Sequence, residues 1–186
     1  MKNPYLLTAL LPVFMLCACG DDSKQPDADS DTVVQQPPVD TTPKPAATTK
    51  YAGTYSFGTD AEKPTGSLLV YPINDTMAMV HLDVQNGAPA HNSGALTQSV
   101  AILADTGMIW IGNNDDGECK IALHFNGDEV TVQTHARKGC GFGQGVIADN
   151  VYKRSSTDVP KYYLGGAGDT VWFGNLMKDG LDMHAH

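Results

Sequence analysis

The sequence predicts an all-β fold, a single small antiparallel meander of about eight strands, and it favours a closed barrel over a sandwich. Between residues 51 and 154, short runs of alternating apolar and polar residues are separated by clusters of Gly, Asn and Asp. No window in this region has the apolar periodicity of a three-turn helix. These roughly 104 residues suffice for one domain with one core, and barrel closure removes exposed strand edges.

Eight segments carry the alternation. They are residues 53–57, 67–73, 77–84, 95–103, 108–112, 119–125, 129–135 and 145–153. The Asn126-Gly127 pair is the strongest hairpin signal, because both residue types tolerate the positive φ of a tight turn. In two segments the alternation also predicts the inward side chains, which are Ala78, Val80, Leu82 and Val84 in the first and Cys119, Ile121, Leu123 and Phe125 in the second. His81, Asp83, Lys120 and His124 then point outward.

The N-terminus has the pattern of an export signal. Lys2 precedes an apolar run over residues 5–16, which is shorter than the roughly 20 residues of a spanning helix. The following Leu16-Cys17-Ala18-Cys19-Gly20 stretch resembles the signal of bacterial lipoproteins. An ordinary signal peptide with incidental cysteines is the alternative.

The lipoprotein resemblance implies a specific modification. The signal peptide, residues 1–18, would be cleaved off, and Cys19 would carry a diacylglycerol on its sulfur and an acyl chain such as palmitate on its amino group. Two or more chains anchor a protein stably in a lipid bilayer. Cys17 is the poorer candidate, because bulky Met15 and Leu16 would flank that cut.

The residues after Cys19 bear on location. Gly20 stands where an aspartate would signal retention at the inner membrane, so the outer membrane of a bacterial envelope is expected. The Asp21-Asp22 pair resembles the surface-export signals of some Bacteroidota lipoproteins. Both the periplasmic and the surface face therefore stay open.

Residues 19–50 form a predicted tether. They are rich in Asp, Pro, Thr, Gln and Ala, so they cannot bury enough apolar surface to offset the entropy of ordering. As a flexible coil they would span about 30 Å. After removal of Lys2 with the signal, the chain keeps 11 basic and 21 acidic side chains, which argues against nucleic acid as a partner.

The two ends of the β domain resemble those of small calycin-type barrels, such as lipocalin-like lipoprotein domains. The resemblance is carried by Gly53-Thr54-Tyr55 and by the segment 150–154, Asn-Val-Tyr-Lys-Arg. Tyr55 stands where the lipocalin-like opening has tryptophan. The resemblance implies a closed antiparallel barrel.

Cys119 and Cys140 are the only cysteines after the anchor, and an exported domain favours a disulfide between them. Closing a loop of about 20 residues would add roughly 3 kcal/mol. The glycine-rich turn that follows, with Gly141, Phe142 and Gly143, is the candidate loop for contact with a partner protein.

The segment 155–186 is predicted to be a linker and a tail. Residues 155–160 have linker composition, whereas Tyr162-Tyr163-Leu164 and Val171-Trp172-Phe173 are apolar enough to dock on the domain as an added strand. Residues 181–186 are expected to fray.

No catalytic motif appears in the chain, so we predict no catalytic residue, metal ligand or cofactor. The six histidines lack metal-site spacing and are expected at the surface. No serine lies in a Gly-x-Ser-x-Gly turn, and the acidic run 113–118 is better explained as a hairpin turn than as a calcium loop.

The sequence favours the first of three functions. The first is a non-enzymatic binding or inhibitor module on a stalk, whose partner is an envelope protein or a secreted enzyme. Lysozyme-inhibitor lipoproteins are similar in overall plan, although their Ser-Gly-x-x-Tyr signature is missing here. The second is a structural lipoprotein that docks envelope components, and the third is a hydrolase that uses Asp83 with His81 or His124.

Overall fold

The computed structural model describes residues 46–114 and 117–178. Cys19, the signal peptide, most of the predicted tether and the segment 181–186 lie outside the described residues. The described part is an all-β domain in which eight antiparallel strands form a closed barrel in sequential order. The predicted meander and its closure are confirmed.

The elements follow one another with short connections. A 3-10 helix (Ala47–Tyr51) precedes the barrel, and another (Lys138–Cys140) follows its seventh strand. The barrel strands are β1 (Gly53–Phe57), β2 (Thr65–Pro72), β3 (Met77–Gln85), β4 (Ser93–Leu103), β5 (Thr106–Asn114), β6 (Gly117–Asn126), β7 (Glu129–Arg137) and β8 (Asn150–Ser156). The tail forms β9 (Tyr162–Leu164), β10 (Thr170–Trp172) and a short helix α1 (Phe173–Lys178).

Closure of the barrel occurs at β1, which pairs with β2 on one edge and with β8 on the other. This brings together the two segments that carry the calycin resemblance. Tyr55 is the cross-strand partner of Arg154, and the guanidinium carbon of Arg154 lies 4.9 Å from the centre of the Tyr55 ring. The Arg154 guanidinium also donates a hydrogen bond to the Tyr55 hydroxyl.

The barrel interior is packed with side chains. Both predicted inward sets are confirmed, and their members are at most 7% exposed. Tyr55 and Tyr152 are fully buried, and Phe57 meets the Tyr152 ring edge-on at 4.8 Å. A Cβ added to Gly66 would collide with Phe57 and touch Tyr152, so the interior is dense there. Side chains thus fill the core, as is usual for a barrel of eight strands.

The last barrel strand is shifted from its predicted position. Residues 145–153 were expected to form it, but β8 covers Asn150–Ser156, and residues 145–149 form a loop. The alternation in that loop is real, because Val146 and Ala148 are buried. Its backbone does not pair with β7, however, since the Asp149 carboxylate accepts the Thr134 N–H at 2.8 Å. The Asp149 side chain, rather than a paired strand, thus accepts the hydrogen bond of the Thr134 N–H.

Two tight turns also differ from expectation. Asn126 is the last residue of β6 and pairs with Glu129, so Gly127 and Asp128 form the two-residue turn, and only the glycine has a positive φ, of 59°. The turn between β4 and β5 is shorter than the four residues left between the predicted segments 95–103 and 108–112. It consists of Ala104 and Asp105, both with positive φ, of 47° and 62°.

The tail docks on the barrel, as expected, but not as an added barrel strand. β9 and β10 pair only with each other, as a separate two-stranded sheet on the outside of the barrel. A closed barrel offers no free edge, so the hairpin attaches through side chains. The Phe173 ring stacks on Tyr71 at 5.4 Å and is fully buried.

The described fold begins before residue 51. Thr48, in the first 3-10 helix, is 1% exposed, and its hydroxyl donates a hydrogen bond of 2.5 Å to the Asn74 carbonyl. Residues 46–50, which composition assigns to the tether, therefore form part of the described fold. Within the described ranges, no helix is both long and apolar enough to cross a bilayer.

Candidate functional site

A groove lies on the outside of the barrel, between the β3–β4 wall and the C-terminal hairpin, and we call it the outer groove. Its volume is about 520 Å³. Outward side chains of β3 and β4 form its floor, because the register pairs His81 with Thr97, Asp83 with Ala95 and Gln85 with Ser93. The hairpin supplies the opposite wall through Tyr163, Leu164, Gly165, Gly166 and Val171.

His81 forms the inner end of the outer groove. Its imidazole Nδ1 lies 2.8 Å from the Thr97 hydroxyl oxygen, and its ring stacks on Tyr163 with centroids 3.8 Å apart. Only 5% of His81 is exposed, and this burial lowers its pKa to about 4. The imidazole is therefore neutral near pH 7. The expectation of a surface histidine was wrong, because the outer face that carries His81 is covered by the tail.

Asp83 lies next along the floor and is half-buried. Burial raises the pKa of its carboxyl. Its cross-strand neighbours are Ser67 on β2 and Ala95 on β4, both uncharged. None of the ion pairs found among the described residues includes Asp83. The groove thus contains a partly desolvated acid without a counter-charge.

A second cavity, of about 300 Å³, lies at one end of the barrel, but its charges are already paired. The Lys50 ammonium lies 2.9 Å from the Asp105 carboxylate, which also accepts a hydrogen bond from the Tyr51 hydroxyl. The Tyr51 hydrogen bond and the Lys50 ammonium lower the pKa of Asp105. Arg154 donates to the Lys50 carbonyl at 2.9 Å. These contacts tie the first 3-10 helix to the barrel end.

The structure joins Cys119 and Cys140 in the predicted disulfide, with Cα atoms 4.7 Å apart. The candidate loop after it is held against the barrel. Phe142 is half-buried and packs on the core over Gly94, where a Cβ would collide with its ring. Gly143 N–H donates to the Ser93 carbonyl at 3.0 Å. Phe142 therefore packs against the barrel core, and only Gly141 of these three loop residues is exposed.

The residues of the hydrolase hypothesis divide between two places. His81 and Asp83 both line the outer groove, whereas His124 is exposed on β6, with its Nδ1 3.3 Å from the Thr106 hydroxyl. His81 is sealed beneath Tyr163, and its low pKa makes it a weak base. No group of three His, Cys, Asp or Glu side chains suited to a metal ion occurs in the described ranges.

An exposed aromatic pair lies on the far side of the hairpin. Tyr162 and Trp172 are cross-strand partners with ring centroids 5.2 Å apart, and they are 49% and 48% exposed. The segments 162–164 and 171–173 are apolar in the sequence, but the division of their side chains between two faces of the hairpin was not predicted from it. Alternation within Tyr162-Tyr163-Leu164 carries that signal, because Tyr163 alone points to the barrel.

Comparison with known proteins places the chain in no family. No family model matches the sequence, and no significant match was found among curated proteins or solved structures.

Proposed function

We propose that this protein is a lipid-anchored lipoprotein of the bacterial envelope whose barrel is a non-enzymatic binding module. The outer groove is its binding site. The observation that carries the proposal is the groove itself, a partly polar concavity of about 520 Å³ built by a dedicated C-terminal hairpin. Since side chains pack the barrel core, a ligand is best accommodated on the outside.

The anchor and the tether support display of this module at a membrane. The resemblance of residues 16–20 to a lipoprotein signal assigns Cys19 as the acylated residue, on the outer membrane. The described fold begins at residue 46, so about 27 residues separate Cys19 from the barrel domain. A flexible coil of that length would span about 30 Å, a reach that favours display of the barrel away from lipid headgroups.

A bulky side chain in the groove tests the proposal. Ala95 and Ala101 are both exposed on the outer face of β4, but only Ala95 lines the groove. We expect Ala95→Trp to abolish recovery of the bound envelope component, and Ala101→Trp to retain it. The full lipoprotein is purified from membranes in mild detergent, and mass spectrometry identifies co-purifying molecules. Recovery of the same molecules with both variants, or of none with the unchanged protein, would contradict the proposal.

A structural docking lipoprotein is the second candidate, and the exposed Tyr162–Trp172 pair favours it. Aromatic side chains are enriched at protein interfaces, and these two form a patch that the barrel does not cover. Under this alternative, the double variant Tyr162→Ser/Trp172→Ser would abolish recovery of the co-purifying envelope component, whereas Ala95→Trp would retain it.

A further inference from the structure

We propose that the outer groove recognises an ammonium group, which the Asp83 carboxylate binds. The inference rests on the proposed binding function of the groove and names the chemical class of its ligand. It follows from the charge that the groove lining can carry and from the partial burial and surroundings of Asp83.

Asp83 is the one side chain of the groove lining that can carry a negative charge. None of its lining residues is lysine or arginine, and Asp83 is its only carboxylic acid. His81 is the remaining titratable base, and it is neutral because burial lowers its pKa to about 4. Ionised Asp83 therefore has no oppositely charged group among the residues that line the groove.

Of the eleven acids in the described ranges, four contact a cation, and Asp83 is among the seven that do not. Asp60 pairs with Lys63, Asp105 with Lys50, Glu129 with Lys153, and Asp128 with Arg154. Each of these acids is exposed, whereas Asp83 is half-buried. A partly desolvated carboxylate interacts more strongly with a cation than an exposed one does, because less water screens the charge. Burial raises the pKa of the Asp83 carboxyl.

The groups around Asp83 suit an ammonium ion. Its three N–H donors need acceptors, and the floor offers the Asp83 carboxylate beside the Gln85 amide and the hydroxyls of Ser93 and Thr97. A metal cation fits less well. Ca²⁺ takes about six to eight oxygen ligands, commonly including several carboxylates, and this groove has a single carboxylate.

The experiment titrates the mature lipoprotein in micelles with two matched pairs of probes at pH 7.5. One pair is N-acetyl-lysine amide and N-acetyl-norleucine amide, and the other is glucosamine and N-acetylglucosamine. Amide chemical shifts of Asp83, Ser93 and Tyr163 report on the groove. We expect saturable shifts with at least one ammonium probe and not with its neutral counterpart. The pair that responds distinguishes a peptide from an amino sugar as the source of the ammonium group.

Asp83→Asn is the decisive variant, because it keeps the size of the side chain and removes its charge. We expect it to weaken ammonium binding about tenfold to hundredfold, the usual effect of losing a charged hydrogen-bond partner. Asp158→Asn, an exposed acid outside the groove, should bind as the unchanged protein does.

Equal binding by Asp83→Asn, equal response to the neutral probes, or no saturable shift would overturn the ammonium assignment. The proposed function is judged separately. If Ala95→Trp still abolishes recovery of the envelope component while Asp83→Asn does not affect it, the groove binds a ligand of another class. If neither variant affects recovery, both proposals fail.

Discussion

His81 shows how one side chain acquires its properties from a distant segment. Its position on β3 places it on the outer face of the barrel, where a histidine would titrate as in water. Tyr163, 82 positions further along the chain, covers its ring. Removing water from the imidazole penalises its charged form, and its pKa falls to about 4.

This shift predicts a pH dependence of stability. Between about pH 6.5 and 4 the unfolded chain binds a proton at His81 and the folded chain does not, so the free energy of unfolding falls as the pH is lowered through that window. We expect a loss of about 2 kcal/mol, allowing for solvent screening. His81→Gln should remove this part of the pH dependence, measured by urea unfolding at pH 7.5, 5.5 and 4.5.

A control variant and a second titrating group bear on that measurement. His135→Gln, on an exposed position of β7, should leave the pH dependence unchanged. The raised pKa of Asp83 gives the opposite slope, because the folded state then holds a proton longer than the unfolded state as the pH rises. The contribution of Asp83 is the same in all these variants, so it cancels when their free energies of unfolding are compared. A difference between wild type and His81→Gln that does not vary with pH would show that His81 is not buried as described.

At the scale of elements, the C-terminal hairpin is held by side-chain contacts rather than by strand pairing with the barrel. Tyr163 packs on His81 and lies 5.5 Å from the Phe173 ring, which in turn stacks on Tyr71. These aromatic contacts join the hairpin and α1 to the outside of β2 and β3. Without them the outer groove would lose one wall.

Removing the Tyr163 ring tests this attachment. We expect Tyr163→Ala to expose His81 and to raise its pKa from about 4 towards its usual value near 6.5, as measured by NMR titration of the imidazole. Tyr162→Ala is the matched control, because that neighbouring ring faces away from the barrel and should leave the pKa unchanged. An unaltered His81 pKa in Tyr163→Ala would mean that another group buries the imidazole.

At the scale of the whole molecule, the proposed arrangement is a rigid barrel that binds a ligand in solution while lipid holds the chain at a membrane. The two parts depend on different chemistry. The groove depends on packing between the barrel and the tail, whereas the proposed anchor would depend on the sulfur atom of Cys19. The anchor can therefore be tested without disturbing the groove.

Cys19→Ser should release the protein from the membrane fraction. The variant lacks the thiol that receives diacylglycerol, and membrane binding by a lipoprotein depends on its acyl chains. Cell fractionation with immunoblotting measures the change, and mass spectrometry of the purified protein reports the lipid mass. Cys17→Ser, two residues away, should stay membrane-bound. A membrane-bound Cys19→Ser protein, or a released Cys17→Ser protein, would contradict assignment of the anchor to Cys19.

The meander was predictable because its signals are local. Alternation within five to nine residues indicated seven of the eight barrel strands to within about two residues at each end, and it identified the inward faces of β3 and β6. It failed at β8, because the same alternation in residues 145–149 buries Val146 and Ala148 from a loop. Burial on alternate positions does not require strand pairing.

By itself, the sequence determined the antiparallel order of the strands, the inner faces of the barrel and the disulfide between Cys119 and Cys140. The tertiary structure alone decided that Phe142 packs on the barrel core, that His81 is buried and that Asp83 lies in a groove whose lining has no cation. The reason is separation along the chain. The alternation of a strand depends on neighbouring residues. The environments of Phe142, His81 and Asp83 instead arise where segments distant in the chain pack together, and the local pattern carries no signal of that packing.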